Sequence, residues 1–116
     1  YPGRLHDIHR PHIVNTPLPS GTAGGAFRHA ITQDWWPAIH AHQPDLILLS
    51  AGFDGHKDDP LAQFQLIEDD YYWITQEIVA LANQYAQGRI VSALEGGYDL
   101  QALGTSVVAH LEALKA

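Results

Sequence analysis

Two polar side chains follow directly on apolar segments that are typical of buried strands. Residues 45–50 lead through Gly52 to Asp54, and residues 89–94 lead through two glycines to Tyr98. A carboxylate in such a place can bind a metal or act as a general base, and a phenol can polarise a carbonyl or stabilise an oxyanion. Each has a simpler alternative, since Asp54 could cap backbone N–H groups and Tyr98 could pack over the rim of the sheet.

The eight histidines raise the question of a metal site near the start of the chain. His6, His9 and His12 are three residues apart, and Asp7-Ile8-His9 has the Asp-x-His spacing of many metal sites. No apolar strand precedes this segment, however, and a metal site needs rigid elements to fix its ligands. Solvated loop histidines are therefore the favoured interpretation. In sequence, His56 is the histidine nearest to Asp54.

Hydrophobic periodicity predicts the elements that must position Asp54 and Tyr98. Apolar residues at a spacing of four predict a helix from Phe27 to about His42, and residues 71–85 predict a second helix, opened by acidic residues 68–70. Segments 45–50 and 89–94 are continuous apolar runs, which are typical of strands buried on both faces of a parallel sheet. The segment 12–19, β-branched and closed by two prolines, predicts another strand at a sheet edge.

The last predicted helix has Asp99 as its N-cap. Its apolar stripe consists of Leu100, Leu103, Val107, Leu111 and Leu114. The resulting order of strand, helix, strand, helix, strand, helix indicates an α/β fold with a parallel sheet. Ligands of such folds bind beyond the carboxyl ends of the strands, so Asp54 and Tyr98 are expected to face one functional edge.

Composition limits the class of protein and its partners. With 46% apolar and 16% charged residues, the chain is an ordinary globular domain or a part of one. The absence of Cys excludes disulfides, cysteine zinc sites and thiol nucleophiles, and a net charge of −7 argues against a nucleic-acid partner. No apolar run approaches the ~20 residues that cross a bilayer, so we expect no membrane association and a cytoplasmic location. Because the chain contains no Met, we also expect a processed product or a fragment.

Five blocks of the chain form a recognisable set in a fixed order. They are Tyr1-Pro2-Gly3, residues 15–21, residues 44–54, Asp59-Pro60-Leu61 and residues 95–100. Together they resemble the zinc-dependent histone deacetylase and acetylpolyamine amidohydrolase family, especially its class II-like bacterial members. The resemblance implies the C-terminal part of the three-layer arginase/deacetylase fold, with parallel strands alternating with helices, and residues 1–116 as a single partial domain.

The resemblance also implies roles for four residues and a zinc cofactor. Asp54 would be a zinc ligand, and the Tyr98 hydroxyl would bind the acetyl carbonyl and stabilise the oxyanion. Tyr1 would be an aromatic wall of the acyl-lysine tunnel, and the backbone of Gly97 would line that tunnel. The implied reaction is hydrolysis of the amide of an acetylated lysine or an acetylated polyamine.

The same resemblance places the remaining machinery outside these residues. The family's His-His pair and Asp-x-His ligands come before Tyr-Pro-Gly, so Asp7-Ile8-His9 does not match them and the 116 residues alone are expected to be inactive. Arg4-Leu5 departs from the family's usual Thr-Gly. A sheet edge left open by the missing strands would let copies of the chain self-associate.

Two alternative functions stay open at this point. One is a noncatalytic binding or assembly module on the same scaffold, which differs from the enzyme only in what lies before Tyr1. The other is an unrelated nucleotide-binding α/β module that uses the glycine-rich strand ends. The glycine-rich segment 21–25 lacks the Lys-Ser/Thr of a P-loop, which weighs against this last alternative.

Overall fold

The computed structural model describes residues 12–115, and within that range three helices alternate with two strands. The elements are α1 (Gly24–His42), β1 (Ile47–Ala51), α2 (Glu68–Tyr85), β2 (Ile90–Leu94) and α3 (Leu100–Leu114). The strands are parallel and in a register that pairs Ile47 with Ile90. The prediction of parallel strands alternating with helices is therefore confirmed. No helix in this part of the chain is long and apolar enough to cross a membrane.

The first two helices form where periodicity predicts them. Helix α1 buries Ile31 and continues through Pro37, and α2 buries Tyr71 and Ile78 on its inner face. At the start of α2, a carboxylate oxygen of Asp70 accepts a hydrogen bond of 2.9 Å from the backbone N–H of Ile67. This bond satisfies one of the donors that a helix N-terminus leaves without an intrahelical partner.

An aromatic cluster and one ion pair join α1 to α2. The Arg28 guanidinium lies 3.0 Å from the buried carboxylate of Asp70 and 5.3 Å from the centre of a Trp73 ring. Phe27 and Trp36 contact Trp73, with ring centroids 6.4 Å and 6.1 Å away. A buried carboxylate is costly unless it is paired, so Asp70 gives α1 a defined position on the first turns of α2.

The apolar core lies at the carboxyl end of β1. Phe53, Leu66 and Tyr71 are buried together, and the rings of Phe53 and Tyr71 are 5.0 Å apart. Partly buried side chains from α1, β1, α3 and the loop between β1 and α2 surround them: Phe27, Ala51, Phe64, Leu103 and Val107. The core therefore supports the segment that carries Asp54.

The predicted strand over residues 12–19 is wrong, because the segment is irregular in the structure. Pro17 and Pro19 have no N–H to donate to a sheet, and the side chains instead contact α1. The Thr16 hydroxyl donates to Asp34 at 3.0 Å and accepts a bond of 3.1 Å from the indole N–H of Trp35. The segment is thus held by side chains and not by strand pairing.

The prediction that both strands are buried on both faces is also wrong for residues 12–115. Side chains along β1 alternate between half-buried and exposed, and Leu48 is 70% exposed. On β2, Val91 and Leu94 are exposed. The alternation along β1 is typical of a strand covered on one face only. Along β2, residues 91–94 are all exposed, so the described helices cover this strand less than β1.

Helix α3 begins after Asp99 as predicted, but it buries a different face. The Asp99 carboxylate accepts a hydrogen bond of 2.9 Å from the N–H of Ala102. The buried residues are Ala102, Ser106, His110 and Ala113. Within the predicted stripe, Leu100 and Leu111 are exposed, whereas Leu103 and Val107 contact the core. Small side chains on the buried face let α3 pack closely against α2, and this requirement outweighs the leucine spacing.

Candidate active site

The two predicted strand ends lie side by side at the carboxyl edge of the sheet. Beyond the strands, the N–H of Glu95 donates to the carbonyl of Ala51 at 2.9 Å, and the N–H of Phe53 donates to the carbonyl of Gly96 at 2.8 Å. The segment that carries Asp54 therefore runs beside the segment that carries Tyr98. Ligands of parallel sheets bind at this edge.

Asp54 packs against two glycines, one from each strand end. A Cβ atom on Gly96 would lie 3.0 Å from the Asp54 Cγ, and one on Gly52 would lie 3.2 Å from Asp54 Oδ1. Larger residues at either position would displace the carboxylate. Within residues 12–115, no hydrogen bond reaches this half-buried carboxylate, so the alternative of a backbone cap is not observed there.

The buried hydroxyl of Tyr71 lies under the same strand end. It has no hydrogen-bond partner of ordinary geometry among the described residues, and a Cβ on Gly55 would lie 3.1 Å from it. Burial, and then the nearby charge of Asp54, raise the pKa of Tyr71 far above its usual range. The hydroxyl therefore stays protonated, and Tyr71 and Asp54 both line a cavity of about 500 Å³. Sequence periodicity marked Tyr71 only as a core residue of α2.

Gly97 and Tyr98 form the turn between β2 and α3. Gly97 has a φ of +141°, and a Cβ there would lie 2.6 Å from Leu103 Cδ1, so only glycine fits this position. Tyr98 is 56% exposed. Among residues 12–115, therefore, no contact buries this side chain against the rim of the sheet.

Asp59, which sequence reasoning did not single out as a site residue, holds this turn. One carboxylate oxygen accepts bonds from the N–H groups of Tyr98, at 2.7 Å, and Asp99, at 3.3 Å. The other accepts a bond of 2.9 Å from the N–H of Leu61. Burial raises the pKa of Asp59, but these three backbone hydrogen bonds bring it below its usual range. The side chain is therefore an ionised, buried carboxylate.

His56 stabilises the loop after β1 through both of its ring nitrogens. Its Nδ1 accepts a bond of 3.1 Å from the N–H of Asp58, so the proton lies on Nε2, which donates to Glu68 Oε1 at 3.0 Å. Glu68 Oε2 accepts a bond of 2.6 Å from the Thr105 hydroxyl. The bonds from Thr105 and His56 lower the pKa of Glu68 to about 2. The loop is thus tied to both α2 and α3.

His110 and Thr75 line the same cavity and belong to a chain of polar side chains. The Thr75 hydroxyl donates to the carbonyl of Tyr71 at 2.7 Å, so it accepts from the Nδ1–H of His110 at 2.8 Å. The Nε2 of His110 then accepts from the Ser92 hydroxyl at 2.9 Å. Burial lowers the pKa of His110, which keeps the ring neutral. Its ring centroid lies 5.6 Å from that of Phe53, next to Asp54.

The described residues do not form a complete metal site. Within residues 12–115, no group of three or more His, Cys, Asp or Glu side chains is placed to hold a metal ion. A catalytic zinc has about three protein ligands, and Asp54 can supply one of them. Tyr1 and Asp7-Ile8-His9 lie outside the described residues.

The glycine-rich turn before α1 does not have the character of a phosphate site. Its backbone binds the loop after β1, with the N–H of Gly21 donating to the carbonyl of Gln63 at 2.7 Å. The Asp70 carboxylate packs directly against Gly24, at the start of α1. A carboxylate at this helix N-terminus disfavours a bound phosphate, which weighs against the nucleotide-binding alternative.

Comparison with known proteins gives a consistent family. Residues 1–114 match the model of the histone deacetylase domain. The chain is 44% identical over 105 residues to a type-2 histone deacetylase 2 of Dictyostelium discoideum, which covers 88% of the chain. It is 38% identical over 120 residues to the chloroplastic histone deacetylase 14 of Arabidopsis thaliana, which covers 98% of it.

Solved structures share the fold. The acetylpolyamine aminohydrolase of Burkholderia pseudomallei superposes on 88% of the chain with a TM-score of 0.76 and 27% sequence identity. The predicted arginase/deacetylase fold is thereby confirmed. The chain spans 28% of that structure, 28% of the Arabidopsis protein and 6% of the Dictyostelium protein. These 116 residues belong to the histone deacetylase family.

Proposed function

We propose that the protein is a zinc-dependent deacetylase that hydrolyses the amide of an acetylated lysine or an acetylated polyamine. The observation that carries the proposal is the meeting of the Asp54 carboxylate and the Gly97-Tyr98 turn at one carboxyl edge of the sheet. The named activities of the related proteins, histone deacetylase and acetylpolyamine aminohydrolase, support the same reaction class.

In this proposal Tyr98 acts on the acetyl carbonyl. Water adds to that carbon, negative charge develops on the carbonyl oxygen, and the Tyr98 hydroxyl donates a hydrogen bond to it. The C–N bond then breaks, the leaving nitrogen takes up a proton supplied by the attacking water, and the products are acetate and the free amine. The exposed ring of Tyr98 and the rigid backbone of Gly97 suit a residue that meets its ligand at the mouth of a site.

Asp54 is proposed as one zinc ligand, and zinc would supply Lewis acidity to the site. The support is local: the carboxylate is half-buried, rests on Gly52 and Gly96, and has no competing hydrogen bond within residues 12–115. The other ligands and the His-His pair are proposed to lie in protein outside the 116 residues. Tyr1 is proposed to line the substrate tunnel, together with the backbone of Gly97.

The 116 residues by themselves are proposed to be inactive, because Asp54 alone would hold zinc poorly and the general base is proposed to belong to the His-His pair outside these residues. Metal-dependent deacetylation by the purified 116-residue chain would contradict this. The alternative of a noncatalytic module differs from the enzyme only in what lies before Tyr1, and it predicts that the intact protein binds acetylated amines without hydrolysing them.

The test of the proposal uses the intact protein that contains this chain. Release of acetate is measured from an acetyl-lysine peptide and from an acetylated polyamine, before and after removal of metal by a chelator. We expect hydrolysis that stops on chelation and returns when zinc is added. Stoichiometric binding of either ligand without release of acetate would instead establish the binding module.

A further inference from the structure

Asp59 carries a buried negative charge whose partners are far away in the sequence. Asp59 is only 6% exposed. One of its carboxylate oxygens accepts hydrogen bonds from two backbone N–H groups that lie 39 and 40 residues further along the chain. Those N–H groups belong to Tyr98 and Asp99. Hydrogen bonds to an ionised acceptor are about twice as strong as bonds between neutral groups, so this contact defines the turn firmly.

The loop that carries Asp59 is itself fixed to the rest of the domain. The N–H of Asp59 donates to the carbonyl of His56 at 3.0 Å, and the N–H of Lys57 donates to the carbonyl of Leu66 at 2.8 Å. The side chain of His56 is bonded to Glu68 at the start of α2. Asp59 is therefore a fixed point from which the turn can be held.

The side chain of Tyr98, by contrast, has little of its own to hold it. Tyr98 is more than half exposed, and no hydrogen bond to its hydroxyl is found among the described residues. On one side Gly97 is packed against Leu103, and on the other side Asp99 caps α3 through the N–H of Ala102. The direction of the Tyr98 ring therefore depends on its backbone, whose N–H donates to the Asp59 carboxylate at 2.7 Å.

We propose that Asp59 is a positioning residue, whose carboxylate holds the backbone of Tyr98 and Asp99 and thereby aims the Tyr98 hydroxyl at the acetyl carbonyl. The proposal rests on the deacetylase function and on the role of Tyr98 within it. Asp59 itself does not touch substrate.

The first test compares Asp59→Asn with Asp58→Asn in the intact protein. Asn keeps the size of the side chain but removes the charge and turns an NH2 group towards backbone donors. We expect kcat to fall roughly 10- to 100-fold with KM changed less than about twofold, because a small misplacement of a catalytic group has an effect of that size. Asp58 lies on the same loop with its side chain 60% exposed, so Asp58→Asn should keep wild-type kinetics.

The second test is a double-mutant cycle with Tyr98→Phe. If Asp59 acts through the Tyr98 hydroxyl, Asp59→Asn should lower kcat in the wild-type background and change it less than about twofold in the Tyr98→Phe background. A merely structural role for Asp59 would lower kcat by the same factor in both backgrounds. That result, or wild-type kcat in Asp59→Asn, would overturn the proposal.

A third readout separates failure of this proposal from failure of the deacetylase function. Amide hydrogen exchange is measured by NMR at Tyr98 and Asp99, with the N–H of Phe53, bonded to Gly96, as the internal control. We expect Asp59→Asn to speed exchange at Tyr98 and Asp99 and to leave Phe53 unchanged, whether or not the protein hydrolyses anything. Unchanged exchange at Tyr98 would overturn the positioning role, whereas an inactive wild type would overturn only the function.

Discussion

The two strand ends that meet at the candidate site are held in different ways. At the end of β2, the turn with Tyr98 is fixed by a charged side chain, Asp59, and by the tight fit of Gly97. At the end of β1, Asp54 rests on glycine backbone, and no hydrogen bond within residues 12–115 orients its carboxylate. The difference indicates that contacts within this chain fix the backbone of the proposed oxyanion donor. The proposed metal ligand depends on groups from elsewhere.

The largest expected effect is at the β1 end. In the intact protein, Asp54→Ala removes the proposed ligand from a site that needs about three protein ligands, so metal content after dialysis should fall from about one ion per chain to a small fraction of that. Activity should fall to the background with it. The metal content is measured by inductively coupled plasma mass spectrometry.

Asp45→Ala is the matched control for Asp54→Ala. Asp45 is an exposed carboxylate at the other end of the same strand segment, and its removal should leave metal content unchanged. Full metal occupancy in Asp54→Ala would show that Asp54 is not a ligand, and the contrast between the two strand ends would need another cause.

The next effect is at the β2 end. Tyr98→Phe should lower kcat roughly 10²- to 10³-fold, the usual loss when one oxyanion donor is removed, while zinc content stays as in the wild type. Steady-state kinetics on an acetyl-lysine peptide measure it, and Tyr72→Phe, an exposed tyrosine of α2, is the control. Wild-type turnover in Tyr98→Phe would remove this residue from the reaction.

The sequence predicted the elements well where packing is local. The spacing of Ile31 and Ile78 with their neighbours predicted α1 and α2, and the apolar runs predicted both strands. It failed over residues 12–19, because β-branched residues indicate a strand only if a partner strand accepts them. It also failed on the face of α3, where close packing selects Ala102 and Ser106 over the larger leucines.

Prediction of the candidate site was limited in the same way, because only features that are local in the sequence could be recognised. Asp54 and Tyr98 are found from the rule that strand ends carry function, and this rule needs only the sequence of each strand. Asp59 contacts a turn 39 residues away, and the orphan hydroxyl of Tyr71 looks like any core position of a helix. Such contacts depend on tertiary structure and leave no local pattern in the chain.

A smaller effect is expected from pH, which acts on stability through the buried ring of His110. The folded protein keeps His110 neutral, with a pKa below the ordinary 6.5, whereas the unfolded chain takes up a proton near 6.5. The contribution of neutral His110 to the free energy of unfolding is therefore fully present above pH 6.5. It is lost as the pH falls from there through the lower pKa of the folded protein. One such proton changes the free energy of unfolding by at most about 1.4 kcal/mol per pH unit.

The measurement is the free energy of unfolding of the intact protein by denaturant between roughly pH 7.5 and 5.5, a window around the ordinary pKa of histidine. His110→Gln should show a shallower dependence than the wild type, and His42→Gln, exposed at the end of α1, should keep the wild-type dependence. Equal slopes in wild type and His110→Gln would show that this buried chain does not couple to pH.

The smallest effect concerns the 116 residues alone. Within the described chain β1 pairs only with β2, and Leu48 on its open face is 70% exposed. We propose that copies of the isolated chain self-associate through the edge of β1 that is not paired with β2, since unpaired strand edges join readily. Light scattering should show a mass that rises with concentration, and Leu48→Lys should reduce the rise. A monomer mass at all concentrations would contradict the proposal.

The central claim is that Asp54 and Tyr98, on adjoining strand ends, serve one zinc-dependent deacetylase site. The most direct measurement is an anomalous difference map at the zinc absorption edge, from crystals of the intact protein with a non-hydrolysable acetyl-lysine analogue. The account predicts a zinc peak about 2.0–2.2 Å from an Asp54 carboxylate oxygen. It also predicts the analogue's oxygen about 2.6–3.2 Å from the Tyr98 hydroxyl. A zinc peak without contact to Asp54, or a Tyr98 hydroxyl turned away from the analogue, would contradict it.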